Sequence, residues 1–228
     1  MNRSGWVFES GFKRLVLGAG LLSLLGVSYP SLAGMTWSAR AIDPLSIDAI
    51  KSDDKLPEQT LFGDQAPIFS EKLKKDGRID FSNPQIRAEL ASWAAKRKAE
   101  VGDTEVDLDK AWHGIHYLLT GSVDSNKTLA SKAIMGGEDI GPDRGYGPAQ
   151  LLKPAEVKAI AKLLAETTPE MLRARYKPKE MTRLGVYPDI WERDGDEALG
   201  YALDAYKRLV AFYKLAASRG QAVILVIS

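Results

Sequence analysis

The sequence predicts an α/β protein, with an α+β arrangement as its variant: a small mixed β-sheet flanked by several helices. Three observations carry this. Gly34-Met-Thr-Trp-Ser-Ala-Arg-Ala-Ile42 alternates in the manner of a strand, and Ala222-Val-Ile-Leu-Val-Ile227 is a short, continuous apolar run of the kind found in strands covered on both faces. Between them, apolar residues recur mostly at helical spacing, so helices dominate and the two end strands are expected in the centre of the sheet.

The first thirty-three residues read as an export signal. Arg3, Lys13 and Arg14 make a positive start, Leu15 to Gly26 an apolar run, and Ser31-Leu-Ala33 supplies small residues before a cut ahead of Gly34. The apolar run is shorter than the roughly 20 residues that cross a bilayer, so no permanent span is expected. The expectation is a cleaved peptide, residues 1–33, and one domain over 34–228 in the periplasm or secreted. Translation starting near Met35 would instead leave the protein cytoplasmic. With 31 basic and 30 acidic residues there is no field to attract nucleic acid, and the absence of cysteine excludes disulfides, thiolate nucleophiles and Cys-ligated zinc.

Along the domain, Met35, Trp37, Ala39 and Ala41 share one side of the first strand, and Asp43-Pro44 caps a short helix over Leu45 to Ile50. Residues 52–81, broken by Pro57, Gly63, Pro67 and Gly77, read as loops with short helical turns. Asn83-Pro84 opens a helix to about Val101. Asp107 to Gly121 reads as one helix, with Leu108, Ala111, Trp112, Ile115, Leu118 and Leu119 on a core face and Thr120-Gly121 as its stop. Asp109, His113, His116 and Thr120 line the edge of that face, while Lys110 falls outside it and is expected to be solvated.

A short helix over Leu129 to Ile134 follows, then a glycine-rich mobile segment from Gly136 to Pro148, then a strand over Ala149 to Leu152. Lys153-Pro-Ala-Glu156 begins a helix with Val157, Ile160, Ala161 and Leu164 inward. Thr168-Pro169-Glu170 caps another through Arg175, and Pro178 starts a third. Tyr187-Pro-Asp-Ile-Trp191 is read as an exposed aromatic loop, and Asp196 to Arg219 as a long helix burying Leu199, Leu203, Tyr206, Val210 and Tyr213.

From Asp107 onward the residues carry a likeness. Asp107-Leu-Asp-Lys-Ala-Trp, His116 and Leu119-Thr-Gly121 resemble the central motif of the YfbM-like bacterial family, a domain of unknown function. Gly34-Met35, Gly145-Tyr-Gly-Pro, Leu152-Lys-Pro-Ala-Glu-Val157, Tyr187-Pro, Trp191 and the apolar end follow in matching order. The resemblance implies a compact α/β domain and brings no catalytic residue. His113 departs from the family pattern.

The candidate binding residues are therefore Asp109, His113, His116 and Thr120, joined by the loop aromatics Tyr146, Tyr187 and Trp191. His113 and His116 at three-residue spacing could share a metal, but no third ligand is marked, and no metal or cofactor is assigned. The glycine-rich run could cradle an anion only through its backbone, since it lacks the phosphate-loop pattern. Without a Gly-x-Ser-x-Gly elbow or a His-Glu-x-x-His pair, no catalytic residue is assigned. The expected function is a non-catalytic binding or interaction protein, with another protein as the candidate partner. The alternatives are an enzyme using His116 as acid/base with Asp109 orienting it, and an inhibitor or immunity-type protein.

Overall fold

The computed structural model describes residues 34–52, 83–86, 88, 89, 92, 104–143 and 145–228. The segment expected to direct export and, Ser52 apart, the loops expected over 52–81 lie outside these residues, as does most of the helix expected from Asn83-Pro84, whose first turn is helical.

Five strands form one sheet: β1 (Trp37–Ile42), β2 (Glu105–Asp109), β3 (Glu138–Ile140), β4 (Ala149–Leu152) and β5 (Ala222–Ile227), in the order β2-β1-β5-β4-β3. The expected terminal strands are indeed its centre, Trp37 to Ile42 pairing with Ile227 to Ala222. The sheet anticipated as mixed is antiparallel at every described pairing. β4 and β5 are antiparallel because the helices between them bring the chain back to the end of the sheet where β4 finished, so that Val223 starts beside Leu152.

One face carries all the described helices that make up the main core. Trp37, Ala39, Val223 and Leu225 meet α2 (Trp112–Thr120), α3 (Leu129–Met135), α4 (Pro154–Glu166) and the long α8 (Asp196–Ser218) in the main core. The short α5 (Pro169–Arg175), α6 (Pro178–Arg183) and α7 (Trp191–Asp194) close its flank. On the other face Ile42, Leu151, Ile224 and Val226 form a second cluster with Ile50 of α1 (Ile47–Ser52). β5 is thus apolar on both sides because it is covered on both sides.

Local chemistry sets most boundaries. Asp43 accepts from the Leu45 N–H and Thr168 from the Met171 N–H, each followed by proline in the first turn. Glu156 reaches back to the Lys153 N–H at 3.0 Å at the start of α4. Gly121 ends α2 in the left-handed conformation (φ 72°), its N–H on the Tyr117 carbonyl at 2.7 Å.

Two further expectations change. Asp107 to Gly121 is not one helix: Glu105–Asp109 is a strand, and the helix begins at Trp112. Val106 and Leu108 point into the core at a period of two, and pairing with β1 selects that period over the helical one. The glycine-rich segment is also partly ordered as a strand, since Glu138–Ile140 pairs with Leu151–Ala149.

Candidate functional site

The register brings the start of β1, the end of β2, the end of β5 and the start of β4 to the same end of the sheet. Here the backbone of Asp109 turns through φ 50°, a left-handed conformation that costs a non-glycine residue roughly 1–2 kcal/mol. Aspartate tolerates it better than most. The Asp109 N–H donates to Asp107 Oδ1 at 2.5 Å, and the Tyr201 hydroxyl of α8 donates to Asp109 Oδ2 at 2.9 Å while accepting the Lys110 N–H at 3.1 Å. Burial raises the Asp107 carboxyl to about 7, against the bond from Asp109 that pulls it down. Burial, with Asp109 beside it, also raises the Tyr201 phenol, so it stays a protonated donor.

Beyond this turn Lys110 folds against Gly34. A Cβ on Gly34 would lie 2.3 Å from the Tyr187 hydroxyl and 3.2 Å from Lys110 Nζ, and Gly34 has φ 118°. Only glycine fits, and its bareness lets the phenol and the ammonium converge on its backbone. Burial pushes Tyr187 up to about 12 against a bond with the Met35 backbone, and Asp109 and Tyr146 push the same way. Trp112 donates from Nε1 to the Met35 carbonyl at 3.3 Å, pinning the start of β1 beneath the site.

Tyr146, 55% exposed, carries the rim onward to a small cleft of about 140 Å³ lined by Ser125, Met135, Tyr146, Pro148, Gln150 and Ile227. The glycine loop beside it uses its own N–H groups internally: Asp143 accepts from Gly145 at 2.8 Å and Gly147 at 3.0 Å. Those donors are not offered to an anion.

Of the sequence candidates, Asp109, Tyr146 and Tyr187 meet at this end. His113 stands behind them, its Nδ1 accepting the Tyr187 N–H at 3.0 Å and its Nε2 on the Val123 carbonyl at 2.8 Å. Thr120 serves the helix end, its hydroxyl on the His116 carbonyl at 2.8 Å. His116 is sealed in the core, 0% exposed, with Nε2 on Ser131 Oγ at 3.0 Å and Nδ1 buried without a well-formed hydrogen bond. Burial, with His113 nearby, lowers its pKa to about 4. A ring so placed meets no solvent, and Asp109 binds Tyr201 rather than orienting a histidine, so the geometry lends acid/base work by His116 no support.

Trp191, expected on an exposed loop, is completely buried, with Nε1 on the Val186 carbonyl at 2.8 Å. Its ring fills the space over Gly114 of α2, where a side chain would have stood. Among the described residues no group of three or more His, Asp or Glu side chains is placed to hold a metal ion. Lys110 and Tyr201 were the site residues that sequence reasoning passed over. The signal for Lys110 was its place in the Asp-Lys-x-Trp motif; Tyr201, on a helix some ninety residues away, left none.

A family model described as "Domain of unknown function (DUF1877)" matches residues 34–226. Among solved structures the chain is similar to that of a protein of unknown function, YfbM from Escherichia coli. The identity is 17%, covering 85% of this chain and 99% of that one, with a TM-score of 0.53, a likeness of fold. No curated protein matches the chain significantly.

Proposed function

The chain belongs to the DUF1877 family, a domain of unknown function, and from that starting point we propose a non-catalytic binding protein whose contact region is the sheet end built by Asp109, Lys110, Tyr146, Tyr187 and Tyr201. The observation that carries the reading is the left-handed turn at Asp109. It is held by a dedicated tyrosine from α8, and it sets a carboxylate and an ammonium beside the Tyr187 phenol. Strain of this kind persists where the surroundings over-determine it, and binding sites are a common reason. Burial holds both Tyr187 and Tyr201 protonated, so the two phenols serve the cluster as hydrogen-bond donors.

Export belongs to the same proposal. A basic start, an apolar run and Ser31-Leu-Ala33 support it, and the family match begins at Gly34, directly after the expected cut. N-terminal sequencing of the protein from its host checks this: Gly34 as first residue in the exported fraction supports it, and an intact Met1 or Met35 in the cytoplasm refutes it.

A ligand screen by thermal shift tests the site. A compound at a hundred times its Kd stabilises by about 2.7 kcal/mol. That shift should vanish in Lys110→Met and Tyr187→Phe and survive in Arg193→Ala, an exposed position of α7. A hit unaffected by both sheet-end substitutions would place binding elsewhere.

A further inference from the structure

We propose that His113 is the positioning residue of this sheet end: its neutral ring holds the Tyr187 backbone in place, and protonation at Nδ1 releases it. The inference rests on the binding reading above for its purpose, but its geometry stands alone. Nδ1 takes the Tyr187 N–H at 3.0 Å, so Nδ1 carries no proton. The proton must then sit on Nε2, which donates to the Val123 carbonyl at 2.8 Å. One imidazole thereby ties α2 to the loop after it and to the segment bearing Tyr187. The ring has little freedom to turn, for it stacks on Trp112 with centroids 4.9 Å apart and planes 13° from parallel.

A second proton can enter only at Nδ1. It would set an N–H against the Tyr187 N–H, converting a hydrogen bond into a repulsion in a half-buried place. The charged and titratable groups around the ring are few. Asp124, on the loop after α2, favours the charged form; His116, one turn along with its centroid 6.4 Å away, stands against a second charge; and the facing Tyr187 phenol stays neutral in acid. Burial outweighs Asp124 and lowers the His113 pKa, so the latch is closed at neutral pH and opens on acidification. Because the Tyr187 hydroxyl lies against Gly34 beside Lys110, releasing its backbone loosens the rim of the site.

Amide hydrogen exchange on the full chain, read residue by residue by NMR, tests this without any ligand. Between pH 7.5 and 5, the Tyr187 protection factor should fall by about tenfold or more while that of Ile224 in β5 holds. In His113→Asn, whose carbonyl can accept the Tyr187 N–H but does not titrate, the Tyr187 protection should not depend on pH. The idea is overturned if Tyr187 protection is independent of pH in the wild type, if it falls only in step with Ile224, or if the asparagine variant shows the same fall. Should that variant not fold, the ring ¹⁵N shifts of the wild type decide: a protonated Nδ1 at pH 7.5 refutes the latch. Failure of the ligand screen would overturn the binding reading and leave these outcomes untouched.

Discussion

Replacing Gly114 by alanine would put a methyl carbon 2.1 Å from Cη2 and 2.4 Å from Cζ2 of Trp191. Ordinary carbon contacts lie near 3.5–4 Å, so one partner must move by more than about 1 Å. The indole has no easy retreat. It is fully buried, its Nε1 is bound to the Val186 carbonyl at 2.8 Å, and Tyr176 packs edge-on against it at 6.4 Å. Helix propensity argues the other way, since Gly→Ala inside a helix gains about 1 kcal/mol. Overpacking a filled core costs typically about 1–3 kcal/mol and occasionally more. The expected result is a net loss of up to about 2 kcal/mol, read as a lower urea midpoint with an unchanged slope. In the background of Trp191→Phe, which removes the far edge of the indole, the same alanine should be neutral or stabilising. That is a coupling of about 1–3 kcal/mol in a double-mutant cycle. A Gly114→Ala protein at or above wild-type stability would refute the argument.

Acid should act on stability through His116. Its folded pKa of about 4 lies below the unfolded value of 6.5, so the unfolded chain takes the proton first. The contribution is complete above pH 6.5 and is lost as pH falls toward 4, by about 3 kcal/mol in all. Asp107 works oppositely: its carboxyl, raised to about 7, keeps its proton in the folded state after the unfolded chain has released it, so its contribution grows as pH falls through the same range. The two partly cancel in the wild type, and Asp107→Asn should therefore show the steeper loss between pH 6.5 and 4 in urea titrations. An equally shallow profile in both proteins would contradict this. Tyr201→Phe strips Asp109 of a donor and the Lys110 N–H of its acceptor, and should cost about 1–3 kcal/mol. Asp109→Asn, which tolerates the left-handed backbone and can still accept from Tyr201, should cost less than Asp109→Val, which must carry the full strain of roughly 1–2 kcal/mol. Equal midpoints for those two variants would show that the turn is not strained.

What the sequence determined by itself was local. The caps at Asp43, Lys153 and Thr168, the stop at Gly121 and the bounds of Pro169–Arg175 were legible because each is set by chemistry within a few residues. The doubly covered β5 was equally plain, since six apolar residues in a row admit few other places. Tertiary structure decided whatever two periods could both explain. Leu108 and Ala111 suit a helical face and Val106 and Leu108 suit a strand, and the pairing with β1, some seventy residues earlier, chose the strand for Glu105–Asp109. That choice turned Asp109 away from the histidines and toward Tyr201. Burial likewise separated residues of one chemical type: Trp191 went into the core over Gly114 while Tyr146 stayed on the rim, and His116 was sealed beside Ser131 while His113 was set against Tyr187. Local sequence carries caps and periodicity because those interactions span a turn or two. The site joins β1, β2, the Tyr187 segment and α8, and only the packing of those elements brings its residues together.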